Sequence, residues 1–137
     1  MKQMLIIPDK SQMQKCLELA KEYQLGFEYN DFVLPDVLDS ETLLDEIVGQ
    51  YKKEPLPEYC TMHGAFFDVI PFSMDKKIQE IAHLRIKQSF DVARKIGAKA
   101  VVFHTNYFPF LSSEKYNKNW IMEIIYSFSL NLCWKYL

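Results

Sequence analysis

Glycine is scarce in this 137-residue chain, with four residues, and none of them builds a glycine-rich turn. The first apolar run, Met4-Leu5-Ile6-Ile7, gives way to Pro8-Asp9-Lys10, where a dinucleotide-binding unit would need GxGxxG. Cysteine is as sparse. Cys16, Cys60 and Cys133 are odd in number, far apart and without CxxC spacing, which argues against a disulfide scaffold or a zinc knuckle. A reducing, cytoplasmic setting is the expectation. No excess of positive charge exists, since 16 Lys plus Arg face 18 Asp plus Glu for a formal net charge of −2. The basic footprint of a duplex binder is therefore missing, and nucleic acid is not the expected partner. The apolar run before Pro8 is too short for a signal-peptide core, so export is not expected. P-loop, nucleophile elbow and HExxH are all absent.

What the chain does have is alternation, within an ordinary globular composition of 49% hydrophobic and 25% charged residues. Short apolar runs at 4–7, 27–29, 59–63 and 100–104 read as strands. Between them lie segments of helical period. Met13, Cys16, Leu17, Ala20 and Tyr23 form the first stripe, capped by Asp9 or Ser11 and ended at Gly26. Leu43, Leu44, Ile47, Val48 and Tyr51 form the second, capped by Asp39 or Ser40 and stopped by Pro55 and Pro57. The longest helix starts at Ser73 or Asp75, buries Ile78, Ala82, Ile86, Phe90, Ala93 and Ile96, and closes at Gly97.

The order βαβαβαβ with continuous apolar strands predicts an α/β fold, a parallel sheet covered by helices. From Leu5 to Phe27, Thr61 and Val101 the repeats are 22, 34 and 40 residues long. A barrel of roughly 250 residues averages about 31 per unit, so about four strands of a TIM barrel, its first half, are expected over residues 1–119. A doubly wound sheet gives similar lengths. Residues 120–137 are atypical: only Glu123 and Lys135 are charged, and apolar residues occur all round a helical wheel. Those charges and Asn131 argue against a membrane span. The segment reads either as a helix buried in an oligomer or as an altered or truncated terminus.

The polar residues on these strands share a register. Glu28 lies on the second, His63 ends the third and His104 ends the fourth, and such ends face the active site in a parallel barrel. Imidazole there can ligate a metal, donate to a sugar hydroxyl or shuttle a proton. Glu28 can hold a metal or accept from a hydroxyl, a role open also to Asp31. In the loop from His63 to Asp75, Gly64 is expected to allow a sharp turn. Phe66, Phe67 and Phe72 either wall a pocket or pack the loop onto the rim. Asp68 either fixes the loop or orients His63, and Asp75 is expected to cap the long helix. His83, inside that helix, reads as solvated, and Cys60 as a core thiol.

Gly26-Phe27-Glu28, the HGxFxD-like loop from His63, Arg85, and Gly97-Ala98-Lys99-Ala100-Val101-Val102-Phe103-His104 together resemble the xylose isomerase-like TIM-barrel superfamily, over about residues 4 to 107. The group includes sugar-phosphate isomerases and epimerases and endonuclease IV-type enzymes. The resemblance implies a sugar or sugar-phosphate substrate bound by Glu28, His63, Phe66 and His104. It also implies a divalent metal (Mn, Mg, Co or Zn), held by His63 and His104 themselves in the endonuclease IV-like branch. In the isomerases, the metal ligands come from the last four strands, so this polypeptide alone is expected to be inactive. Its unpaired sheet edges predict a homo-oligomer or an aggregation-prone chain.

Overall fold

Strands form where the sequence is shortest and most apolar, and the helices between them return the chain to the same edge of the sheet. The computed structural model describes residues 4–104 and 113–122. In chain order these are β1 (Leu5–Ile6), a 3-10 turn (Lys10–Gln12), α1 (Met13–Tyr23), β2 (Gly26–Tyr29), α2 (Pro35–Leu38), α3 (Glu41–Lys52), β3 (Cys60–His63), α4 (Lys76–Ile96), β4 (Ala100–Val102) and α5 (Glu114–Met122). The sheet runs β1-β2-β3-β4 and every pairing is parallel. A doubly wound sheet reverses direction and so shuffles its strand order. Here the order is sequential, as in barrel units wound one way. The α/β expectation holds.

Alternation along the strands divides the two faces. Phe27, Tyr29, Cys60 and Met62 pack under Ala20 of α1, the Leu44, Ile47, Val48 and Tyr51 stripe of α3, and Ala82, Ile86, Phe90 and Ala93 of α4. Burying each large side chain contributes about 1.5–3 kcal/mol before entropy is charged. By register, the other face carries Leu5, Gly26, Glu28, Thr61, His63, Ala100 and Val102. No described helix covers it with a core.

Helix ends follow local chemistry. The Ser40 hydroxyl accepts from the Leu43 amide at 3.3 Å, and Asp75 accepts from the Lys77 amide at 2.9 Å. Gly97 closes α4 at φ 77°, as expected. The end of α1 differs from expectation. Gln24, at φ 54°, makes the left-handed cap, and Gly26 already belongs to β2. A side chain at Gly26 would stand 2.2 Å from the Tyr59 carbonyl oxygen, so that glycine serves close strand approach instead.

Other expectations are corrected as well. Strand β4 stops at Val102, leaving His104 two residues beyond it. Of the α1 stripe only Ala20 is buried, and Tyr23 is exposed. Leu43 and Ile78 are also exposed; the first turn of α4 stands clear of the core. The short α2 has no counterpart in the sequence periodicity; Pro35 starts it and Leu38 buries its end. Arg85 anchors this region: its guanidinium grips both oxygens of Asp39 while Gln88 reaches the same carboxylate and the Leu38 carbonyl. Of the atypical terminal segment, residues 123–137 lie outside the described residues. Among those described, no helix is long and apolar enough to cross a membrane.

Candidate functional site

The site begins with a ring whose tautomer is set by its own loop. His63 closes β3, is 9% exposed, and its Nδ1 lies 2.9 Å from the Gly64 carbonyl oxygen. A carbonyl only accepts, so Nδ1 carries a proton and the neutral ring keeps its lone pair on Nε2. That Nε2 points at the Nε2 of His104, 3.1 Å away. The ring centroids are 4.8 Å apart, and Phe66 lies against both rings, at 4.9 Å from His63 and 4.5 Å from His104. Three of the four expected site residues therefore meet at the carboxyl ends of β3 and β4.

The loop that carries Phe66 is pinned at its start. The Gly64 amide donates to the Val102 carbonyl at 2.9 Å, continuing the ladder. The Ala65 amide donates to Ser89 Oγ at 3.0 Å, and Ser89, buried in α4, donates in turn to the Arg85 carbonyl at 2.9 Å. Sequence reasoning missed Ser89, which reads as one more polar residue in a long helix. Gly64 does not adopt a left-handed turn. Its missing side chain instead admits the Phe103 ring, which a Cβ would meet at 2.2 Å. The left-handed residue of this loop is Asp68, at φ 56°. Asp68 does not orient His63, whose Nδ1 is taken by Gly64.

The three phenylalanines divide. Phe66 joins the imidazoles, Phe67 is exposed and stacks on Phe66 at 4.1 Å, and Phe72 is buried edge-on against Tyr116 of α5. Glu28 shares the open sheet face but forms no ion pair with either imidazole among the described residues. Its carboxylate accepts a long bond, 3.4 Å, from the Thr61 hydroxyl opposite. Asp31 is committed elsewhere, to the Tyr51 hydroxyl and, at 2.6 Å, to Lys10. Burial, and then that Asp31 contact, push the Tyr51 phenol well above its ordinary range. The buried Cys60 thiol donates to the Pro57 carbonyl at 3.1 Å and accepts from the Tyr29 hydroxyl at 3.3 Å, a core role. His83 is exposed on α4.

No family model matches the chain, and no curated protein matches it. A solved structure does. The TTHB071 protein from Thermus thermophilus, soaked with ZnCl2, superposes with a TM-score of 0.54 at 19% identity. The likeness covers 77% of this chain and 40% of that one, so this chain spans well under half of the neighbour's length. At this identity the likeness is one of fold.

The chemistry of the donor set fits a metal in part. Two imidazole nitrogens on a tetrahedral zinc, each at about 2.0–2.1 Å, stand about 3.4 Å apart. The His63 and His104 Nε2 atoms are near that separation already, and the Gly64 carbonyl behind Nδ1 is the usual outer partner of a ligating histidine. The pair fits as two ligands. Among the described residues no third His, Cys, Asp or Glu joins them. A cavity of about 880 Å³ lies at the opposite ends of the strands, lined by Leu17, Lys21, Leu56, Tyr59 and Lys99, and includes none of the expected site residues.

Proposed function

We propose that this chain contributes four strand ends to the active site of a divalent-metal-dependent isomerase or epimerase acting on a sugar or sugar phosphate. The observation that carries the reading is the convergence of His63 and His104 from adjacent parallel strands beneath Phe66. A bound metal in such a site polarises a carbonyl or hydroxyl. This chain's own share is orientation. The two Nε2 atoms hold either a substrate hydroxyl or the metal, Phe66 gives the sugar an apolar surface, and Glu28 accepts from a hydroxyl. With two convergent donors among the described residues, the isolated chain is expected to turn over no substrate. A cytoplasmic setting and self-association belong to the same proposal.

The assay uses a protein that contains this chain together with four further βα units. Ketose binding strengthened by Mn²⁺ or Mg²⁺, with exchange of a substrate carbon-bound proton into solvent, is the expected result. Absence of isomerisation across a ketose panel with every metal tried would refute it.

The separation of the two rings favours a second reading, a metal-dependent phosphodiesterase of the endonuclease IV kind. An Nε2–Nε2 distance of 3.1 Å suits histidines that ligate metal directly. Tightly held zinc and nicking of an abasic duplex would select that reading over the first.

A further inference from the structure

Among the described residues, one buried side-chain oxygen lacks a hydrogen-bond partner. Asn30 follows Tyr29, the last paired residue of β2, just as His63 follows Met62 on β3. Its side-chain oxygen, Oδ1, is buried and has no hydrogen-bond partner among the described residues. Such an atom carries the whole cost of leaving water with nothing returned, and native proteins rarely keep one without a ligand, ion or water to meet it.

Its neighbours are unusually well fixed. Tyr29 is fully buried and bonded to Cys60, while Asp31 is held by Tyr51 and Lys10. The backbone is therefore clamped on both sides of Asn30. Strand alternation sends Tyr29 into the core and leaves Asn30 on the side of Glu28, two positions earlier. Continuing the β2–β3 register brings Asn30 level with His63, which pairs with Val102 on the next strand. The unmet oxygen thus lies on the side of the sheet that carries Glu28, Thr61 and His63, at the end where His104 meets His63.

We infer that Asn30 is a substrate-binding residue of this mouth, taking adjacent hydroxyls of a polyhydroxy ligand through its amide. The inference rests on the sugar-directed reading of the site. Asn is neutral, so it does not attract an anion. Its amide offers one acceptor and two donors side by side, which match the donor and acceptor of neighbouring hydroxyls. Glu28, held by the buried Thr61 hydroxyl, extends the same row of hydroxyl-compatible groups, whereas the histidines alone would suit a bare metal. The clamped backbone fixes where the side chain starts, and a rotation of that half-buried side chain brings its oxygen to the ligand.

The test titrates the chain with D-fructose and with D-sorbitol, with and without Zn²⁺, and follows the Asn30 side-chain amide pair in ¹H–¹⁵N spectra. The pair is assigned by its loss in Asn30→Asp. Expected is a saturable shift of that pair, and at least tenfold weaker polyol binding in Asn30→Leu, which should melt no lower than the wild type because it removes the unmet atom. Polyol binding unchanged in Asn30→Leu overturns the inference, as does a wild-type amide pair that neither probe moves. If Asn30→Leu does not fold, the wild-type titration decides alone. Zinc binding by the histidines with no polyol response sinks this inference and leaves the metal reading intact. Polyol binding through Asn30 without zinc binding does the reverse.

Discussion

His63 and His104, 41 positions apart in the chain, bring their Nε2 atoms to 3.1 Å. In the neutral pair, the Gly64 carbonyl holds the His63 proton on Nδ1, so His104 must donate between the rings. Two imidazolium ions could not keep this contact, because neither Nε2 would have a lone pair to offer.

A shared cation should replace that inter-ring proton, which gives the first prediction. Zn²⁺ is expected to raise the melting temperature of the wild type. A ligand at one hundred times its Kd adds about 2.7 kcal/mol to stability. His63→Ala and His104→Ala should each abolish the rise, since one imidazole is a poor site. Melting curves across a zinc titration measure it. An equal zinc response in wild type and both variants would dismiss the pair as a metal site.

Two glycines should respond to alanine in opposite directions. At Gly26 the new methyl would overlap the Tyr59 carbonyl oxygen at 2.2 Å and Leu5 Cδ2 at 2.7 Å. Backbone cannot yield as a side chain can, so Gly26→Ala should cost about 1–3 kcal/mol or more. Gly49 sits in α3 with nothing within 4 Å of its added Cβ. Gly49→Ala should stabilise by about 0.5–1 kcal/mol through helix propensity. Urea midpoints compare the two. A neutral Gly26→Ala would contradict the tight β1–β2–β3 approach.

The Arg85–Asp39 clamp should be visible in acid. Hydrogen bonds from Arg85, then Gln88, hold the Asp39 carboxyl at about 2, below its ordinary 3.8. A depressed carboxyl stabilises the fold fully above the unfolded value and loses that contribution as pH falls through the folded one. Wild-type stability should therefore decline between about pH 4 and pH 2, partly through this group. Asp39→Asn should be less stable near neutrality and show a shallower decline over that window. Parallel acid limbs in the two proteins would remove Asp39 from the account.

Much of this was legible in the sequence because strand and helix periods differ. The runs around Leu5, Phe27, Thr61 and Val101 each became a parallel strand, but the two histidines do not share a register: His63 pairs with Val102, and His104 reaches it from two residues beyond β4. Asn30 was not legible. In Tyr-Asn-Asp it looks like an ordinary turn former, and only the burial of its oxygen distinguishes it. The α1 terminus misled for a related reason. Glycine is the usual left-handed cap, but Gln24 takes that conformation, and the demand on Gly26 comes from the approach to β3, 33 residues later at Tyr59. Long-range crowding of this kind leaves no local pattern.

The last prediction concerns the open side of the sheet. Edge strands β1 and β4 each have one unpaired side among the described strands. On the face away from the helices, Val102 is 42% exposed, and Ile7, in line with Leu5, is 61% exposed. Unpaired edges beside an apolar face favour association, and a second copy can supply both an edge and an apolar partner. The chain should therefore elute as a dimer or larger species, with its mass fixed by light scattering. Val102→Lys adds a charge on that face without touching the helix-side core. It should shift the population towards monomer while the helical circular dichroism stays unchanged. A wild type that remains monomeric at high micromolar concentration would show that this face is satisfied in another way.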